Sequence, residues 1–156
     1  MDVFGSSNLK VDGKGRVFLI KRFLQYEDDE DPSILRVITQ FWLTPGLEGC
    51  LWLLDKLEYK RIQRRLRTAD IGDETLRRVQ RAFFALTERV KPDAQGRVLM
   101  SEAQRQLAQI EDRVFVIGVG RRIELWSPAR YAAKRGDPEN FLADLEAVLS
   151  GGRDQF

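Results

Sequence analysis

The sequence lacks histidine entirely and contains a single cysteine, Cys50. Histidine is the commonest general base and the commonest metal ligand, so the residue that most acid–base and metal sites use is missing. One cysteine can form neither an internal disulfide nor a cysteine-cluster zinc site. Paired carboxylates typical of hydrolases are not recognisable either. We therefore expect a protein that is not an enzyme and that binds neither a metal nor a cofactor.

Long apolar runs are missing as well. No run reaches the roughly 18 residues that a membrane helix needs, and the N-terminus lacks the basic-then-apolar pattern of a signal peptide. Hydrophobic residues make up 43% of the 156 residues, which is enough for a buried core. We expect a cytoplasmic protein, one domain or two small ones sharing a core, with no membrane partner and no small-molecule substrate.

The net charge of +2 conceals strong segregation along the chain. Residues 1–26 have a balance of +3, the acidic run 27–31 has −5, residues 56–91 have +6 and residues 137–156 have −4. Such segregation indicates a polyanionic partner for the basic regions, or alternatively two solvated helical faces. The acidic run is typical of a solvated loop, closed by Pro32.

One unit of the sequence occurs twice. Asp-Gly-Lys-Gly-Arg-Val at 12–17 recurs as Asp-Ala-Gln-Gly-Arg-Val at 93–98, an offset of 81 residues. Residues 46–59 run parallel to 118–131 at an offset of 72, because the first copy has a longer loop that contains the acidic run. We expect a first repeat over 1–67 that ends in a basic helix, followed by a connecting helix in 68–86. A second repeat is expected over 87–135, and a C-terminal helix with a tail over 136–156.

Alternating and β-branched patterns predict the strands, and capping residues predict the helices. Strands are expected around Leu9 and Val11, at 17–20, 34–43, 50–54, 88–91, 97–100, 113–118 and 122–126. Helices are expected after Lys21, Asp55, Asp70 or Asp73, Ser101 and Ser127. A last helix carries Phe141, Leu142, Leu145, Val148 and Leu149, before a frayed tail at 151–156. Two units this small favour an α+β fold in which both copies interlock into a barrel around a pseudo-two-fold axis.

Several motifs together resemble the MraZ family of bacterial transcriptional regulators, over roughly residues 4–135. They are the two Asp-x-x-Gly-Arg motifs, Gly-Leu-Glu-Gly-Cys-Leu at 46–51, and Gly-Val-Gly at 118–120 leading to Glu-Leu-Trp-Ser-Pro at 124–128. The resemblance implies a swapped-hairpin β-barrel of the AbrB and SpoVT kind, made of two tandem repeats with flanking helices. It also implies ring-like homo-oligomers, sequence-specific binding to repeated boxes in promoter DNA, a link to division and cell-wall genes, and association with the nucleoid.

By resemblance, the DNA-binding loop contains Lys14, Gly15 and Arg16, with Asp12 as the motif acid and Arg97 as the second copy's arginine. A glycine at a hairpin tip allows close approach of the backbone, Arg16 can read guanine, and Lys14 can neutralise a phosphate. The alternative is that each aspartate pairs with its arginine across the turn, Asp12 with Arg16 and Asp93 with Arg97. Lys14 has the smallest structural role of these residues and is the strongest candidate for contact with DNA.

Further basic residues form a candidate secondary surface: Lys10, Arg61, Arg64 and Arg65. They could extend the phosphate-binding surface, lie on a solvated face, or pair with acids of a neighbouring subunit. Cys50 lies in an apolar run and is predicted to be a packed thiol rather than a nucleophile. Trp42, Trp52 and Trp126 are predicted to lie in the core or at a subunit interface.

The chain departs from the family pattern at its N-terminus and after each motif. It reads Val3-Phe4-Gly5 where the family has Phe-Arg-Gly, and Lys21 and Ser101 stand where a proline is typical. The acidic run and the missing N-terminal arginine favour an alternative to DNA binding. In that alternative the chain is a diverged swapped-hairpin scaffold or protein-interaction module without operator binding.

Overall fold

The computed structural model describes residues 1–68 and 70–151. The strands are β1 (Val3–Lys10), β2 (Arg16–Phe18), β3 (Gln25–Glu27), β4 (Leu35–Val37), β5 (Phe41–Pro45), β6 (Leu51–Leu54), β7 (Glu88–Val90), β8 (Arg97–Leu99), β9 (Arg113–Gly120) and β10 (Arg122–Trp126). The helices are α1 (Lys21–Leu24), α2 (Lys56–Thr68), α3 (Glu74–Ala85), α4 (Glu102–Ala108), α5 (Pro128–Lys134) and α6 (Pro138–Gly151). A short 3₁₀ turn, Leu47–Gly49, joins β5 to β6.

The strands form one open six-stranded antiparallel sheet and two small ribbons. The order in the large sheet is β1-β9-β10-β6-β5-β7, and the ribbons are β2–β8 and β3–β4. This arrangement confirms a mixed α+β fold. The prediction of a closed barrel is wrong for the described residues. Strands β1 and β7 remain the two edges of the large sheet, and β2 and β8 pair with each other instead of closing it.

The strand pairing is symmetric about a pseudo-two-fold axis and interlocks the two repeats. Strand β1 of the first repeat pairs with β9 of the second, while β7 of the second pairs with β5 of the first. At the centre of the β2–β8 ribbon, Val17 lies opposite Val98, its equivalent at the offset of 81. At the centre of the large sheet, Trp52 lies opposite Glu124, its equivalent at the offset of 72. Neither repeat therefore has a sheet of its own.

Residues from both repeats build one main core. Side chains from β1, β2, β5, β6 and β8–β10 pack in it together with Phe23 of α1 and Ala108 of α4. A smaller cluster of Leu54, Tyr59 and Phe83 joins α2 and α3 to β6. In strands with one buried face, alternate side chains point inward, and this pattern explains how short strands could be recognised in the sequence.

Capping residues begin α2, α3, α4 and α5 as the sequence predicts. The Asp55 carboxylate accepts a hydrogen bond from the Glu58 backbone N–H at 2.9 Å. Of the two candidates before α3, it is Asp73 that accepts from Thr75 and Leu76. Ser101 forms a capping box with Gln104, and Ser127 caps α5 ahead of Pro128. Each cap satisfies backbone donors that a helix start leaves unpaired.

The region predicted as one strand over 34–43 is split. Leu35–Val37 belongs to the β3–β4 ribbon and Phe41–Pro45 to the large sheet. The acidic run lies in the turn of this ribbon, where the Asp28 carboxylate accepts from the backbone N–H groups of Glu30 and Asp31. Arg36 donates from Nε to Asp28 at 2.6 Å and, with those backbone donors, lowers the pKa of the carboxyl group. The run therefore forms a hydrogen-bonded turn that is mostly exposed to solvent.

Helix α6 exposes the apolar residues that predicted it. Phe141, Leu142, Leu145, Val148 and Leu149 all lie on its surface, with Val148 70% exposed, and no residue of the helix is buried. The predicted frayed tail lies outside the described residues, except for Gly151. Among the described residues, no helix is both long enough and apolar enough to span a membrane.

Candidate nucleic-acid interface

The first hairpin tip connects β1 to β2 and is organised by the Asp12 carboxylate. Its Oδ1 accepts hydrogen bonds from the backbone N–H groups of Lys14 and Arg16, both at 2.9 Å. Its Oδ2 accepts from Arg16 Nε at 2.7 Å. The tip is therefore a fixed loop with a defined arginine direction.

These donors change the acidity of Asp12. The Arg16 backbone N–H, followed by the Arg16 guanidinium and the Lys14 backbone N–H, lowers the pKa of Asp12 from 3.8 to about 2. The carboxylate stays charged at any pH near neutrality, so the Asp12–Arg16 pair persists there.

The second tip, between β7 and β8, repeats this geometry. Asp93 accepts from the backbone N–H groups of Gln95 and Arg97 at 2.9 Å and from Arg97 Nε at 2.7 Å. The pairing across the turn, which the sequence left as an alternative, is thus present in both copies. It occupies only Nε of each arginine and leaves the Nη groups to serve as further donors.

The β2–β8 ribbon presents both arginines on one face. Val17 and Val98 point inward and are fully buried, so their strand neighbours point outward. Arg16 lies opposite Leu99 and Phe18 lies opposite Arg97, with Phe18 and Leu99 each 52% exposed. The outer face therefore carries two arginines and two apolar side chains in a pseudo-two-fold arrangement.

The structure brings four of the predicted residues together beside this ribbon. A recess of about 430 Å³ is lined by Lys10, Asp12, Arg16, Phe18 and Arg97, with Val11 and Gly13. Lys14 is an exposed residue of the tip, and it follows Gly13, which lines this recess. Lys10, predicted as part of the secondary surface, therefore belongs with the tip residues.

Gly15 lies beneath the tip, not on its outer surface. It is buried with φ +86°, and a Cβ there would lie 2.9 Å from the Met100 carbonyl oxygen and 2.7 Å from Arg105 Nε. The glycine therefore lets the second repeat pack closely under the first tip. The close approach that the sequence predicts between Gly15 and DNA is, in the structure, an approach to Met100 and Arg105.

Arg105 of α4 is a tip residue that the sequence reasoning did not select. Its Nε is buried without a hydrogen-bond partner among the described residues, where its side chain covers Gly15. At the offset of 81, the equivalent residue is Leu24, whose Cδ1 covers Gly96 of the second tip. Comparing the two copies residue by residue would have found this difference in charge.

The three remaining predicted arginines lie on a different element. Arg61, Arg64 and Arg65 are exposed on α2, which packs on β5 and β6. Arg61 donates to Glu58 at 3.3 Å, a pair within the helix itself. They form part of a separate basic surface, named here the α2–α3 surface and made of the exposed residues of those two helices.

Two other groups serve the fold. Cys50 is buried, burial raises the pKa of its thiol to about 12, and its Sγ donates to the Leu47 carbonyl. Glu124 accepts hydrogen bonds from the indole N–H groups of Trp52 and Trp126 and from Arg122 Nε. Among residues 1–68 and 70–151, no three histidine, cysteine or acidic side chains form a candidate metal site.

Known proteins resemble the chain over nearly its full length. A family described as "MraZ protein, putative antitoxin-like" matches residues 83–137. The Transcriptional regulator MraZ of Acetivibrio thermocellus is 32% identical over 90% of this chain and 91% of its own length. The protein of that name from Thermobifida fusca is 32% identical over 94% and 96%, and that from Heliobacterium modesticaldum is 33% identical over 78% of each chain.

The chain belongs to the MraZ family. The family predicted from the two motifs is thereby confirmed. The relatives share a name that denotes transcriptional regulation, which supports the same role for this chain, and none of these three names denotes an enzyme.

Proposed function

We propose that this MraZ-family chain regulates transcription by binding repeated boxes in promoter DNA as a homo-oligomer. The observation that carries the proposal is the outer face of the β2–β8 ribbon, where Arg16 and Arg97 are related by the pseudo-two-fold axis. Lys14 and Lys10 add positive charge beside it.

The two-stranded form of the ribbon and its pseudo-two-fold symmetry suit duplex DNA. The major groove admits a two-stranded antiparallel ribbon, and arginine forms bidentate hydrogen bonds with guanine there. Asp12 and Asp93 hold the guanidinium groups by Nε, which directs the Nη donors. In this proposal Arg16 and Arg97 read bases, Lys14 and Lys10 contact phosphates, and the two aspartates are positioning residues.

The two tips contribute unequally. The first carries Lys14 and is backed by Arg105, whereas the second carries Gln95 and is backed by Leu24. With two more positive charges at the first tip, most of the phosphate-binding free energy belongs there. One such tip per subunit gives weak binding, so several subunits acting on repeated boxes would supply the affinity.

The family membership extends the proposal to assembly and targets. Strand exchange between the repeats supports a swapped-hairpin relationship to AbrB and SpoVT proteins. The exposed apolar stripe of α6 supports self-association into rings. Regulation of division and cell-wall genes, and a place on the nucleoid in the cytoplasm, are what the MraZ family implies.

The direct test is a gel shift with the region upstream of the protein's own gene. We expect a shift at low salt that weakens steeply as salt rises, because phosphate contacts release counterions. An oligomeric preparation that gives no shift at low salt would refute DNA binding.

The variant Lys14→Gln/Arg16→Gln tests the assigned residues. We expect at least a tenfold loss of affinity with an unchanged elution volume in size exclusion. Arg121→Gln is the control, since Arg121 follows Gly120, which lies opposite Val3 at the far end of β1 from the tip. Equal losses in the variant and the control would show that general charge, rather than the tip, carries binding.

A scaffold or interaction module without operator binding is the second candidate. The β3–β4 ribbon favours it, because its turn is acidic while Leu35 and Val37 are each 60% exposed. Phe4 stands at the position of the family's arginine, is 79% exposed and lines the same recess as Leu35. Pull-down of a stoichiometric protein, together with no retention on a heparin or operator column, would favour the scaffold.

A further inference from the structure

Helix α6 is amphipathic but has no partner within the described chain. Its stripe, named here the α6 stripe, consists of Phe141, Leu142, Leu145, Val148 and Leu149, which are 41–70% exposed. At 100° per residue, Asp144 and Glu146 border this stripe on its two sides. The helix contains three acidic residues and no basic residue. The surface complementary to the α6 stripe therefore has exposed apolar residues with positively charged residues around them.

The α2–α3 surface has that character. The two helices carry nine basic and two acidic residues. Leu57 and Val79 are 63% and 45% exposed among them. Among the described residues, Arg64, Arg65 and Arg81 make no side-chain ion pair. Their charges are thus available to an acidic partner.

We propose that α6 of one subunit docks on the α2–α3 surface of a second copy of this chain. The inference rests on the proposed self-association and specifies its contact: the α6 stripe covers the apolar residues of α2–α3, and Asp144 and Glu146 pair with arginines there. Packing α6 against α6 of the partner would instead bring like charges together, so charge favours the basic surface.

This contact determines the kind of assembly. It joins two different surfaces, so after the first contact the pair of subunits keeps one free α6 and one free α2–α3 surface. Such heterologous contacts continue from subunit to subunit, and they close into a ring when the rotation per subunit allows it. Arg61, Arg64 and Arg65 then serve assembly, and the hairpin tips remain free for DNA.

Charge reversal on each side tests the contact. Asp144→Lys/Glu146→Lys reverses the border of the α6 stripe, and Arg64→Glu/Arg65→Glu reverses the receiving surface. All four positions are exposed, so both variants should fold, which circular dichroism verifies. By size exclusion with light scattering, we expect each variant alone to give smaller species than the wild type at moderate salt.

Mixing the two variants is the decisive step. In an equimolar mixture, each reversed α6 meets a reversed α2–α3 surface, and each native α6 meets a native one. We expect wild-type-sized particles with alternating subunits. Arg64→Glu/Arg65→Glu chains that assemble like the wild type, or a mixture that stays small, would overturn the proposal.

The same measurement separates this inference from the proposed function. Wild-type chains that are monomeric at micromolar concentration would refute self-association itself. Wild-type oligomers that are unaffected by either reversal would leave the proposed function intact and refute only the α6 contact. Leu142→Asn/Leu145→Asn removes apolar contacts without changing charge and provides a charge-independent check, and we expect it to abolish the large species.

Discussion

At each hairpin tip, one aspartate accepts three hydrogen bonds and fixes one arginine. The distances from Asp12 and Asp93 to their partners are 2.9, 2.9 and 2.7 Å in both copies, although two of the three residues between motif acid and arginine differ. The sequence left open whether Arg16 pairs with Asp12 or binds DNA. The geometry removes that choice, because Nε makes the pair and the Nη groups remain available to a ligand.

Acid should weaken this arrangement in a defined range of pH. Because the pKa of Asp12 is lowered from 3.8 to about 2, its carboxylate stabilises the folded state above about pH 4 and loses that effect as the pH falls toward 2. Asp12→Asn/Asp93→Asn should unfold at a lower temperature than the wild type at neutral pH. The difference in melting temperature should shrink through this acid range, and a constant difference would contradict the assignment.

Gly15 and Gly13 form a matched pair for a second test. Gly15→Ala should lower the free energy of unfolding by about 1–3 kcal/mol, since φ is +86° and the Met100 carbonyl occupies the space a Cβ needs. Gly13 has nothing within 4 Å of its Cβ position. Gly13→Ala should change the free energy by less than about 0.5 kcal/mol in urea unfolding. Equal effects would show that the packing under the tip is loose.

Among the secondary-structure elements, α4 is linked to the sheet by a buried side-chain amide as well as by apolar packing. Gln104 is fully buried, and its Nε2 donates to the carbonyl oxygens of Leu43 and Leu86. The capping box with Ser101 positions the same side chain from within its own helix. A residue that reads as an ordinary polar helix position in the sequence therefore joins α4, β5 and the end of α3.

Gln104→Met should cost about 1–3 kcal/mol of unfolding free energy, because the buried Leu43 carbonyl and the part-buried Leu86 carbonyl lose this donor. Gln106→Met on the same helix is the control, since the exposed Gln106 side chain makes a hydrogen bond only to Glu102 among the described residues. Chemical unfolding monitored by tryptophan fluorescence measures both. A neutral Gln104→Met would mean that α4 is held by apolar packing alone.

In the molecule as a whole, the two hairpin tips are related by pseudo-symmetry, so the first tip can serve as a reference for the second. Gln95 holds the place of Lys14 in an otherwise equal loop. Gln95→Lys should therefore add a phosphate contact and steepen the dependence of log K on log salt by about 0.9 per bound subunit. Gln95→Met, which adds no charge, should bind DNA like the wild type. An unchanged slope for Gln95→Lys would show that the second tip faces away from the duplex.

The family, the helix caps and most of the strands could be predicted from the amino-acid sequence alone, and the internal repeat is visible in it. These features depend on local chemistry: turn glycines, capping side chains and alternating apolar residues act within a few positions of the chain. The repeat also predicted a pseudo-two-fold axis, which the central pairs Val17–Val98 and Trp52–Glu124 confirm.

The pairing of the strands and the residues on which the tips rest could not be predicted from the sequence. The open sheet, the division of residues 34–43 between two sheets, and Arg105 beneath Gly15 all depend on contacts between residues far apart in sequence. Such contacts leave no periodic pattern in the sequence, because apolar side chains from either repeat can pack on the same apolar surface. The physical reason is that hydrophobic burial has no direction of its own, whereas the hydrogen bonds of each strand edge select one partner.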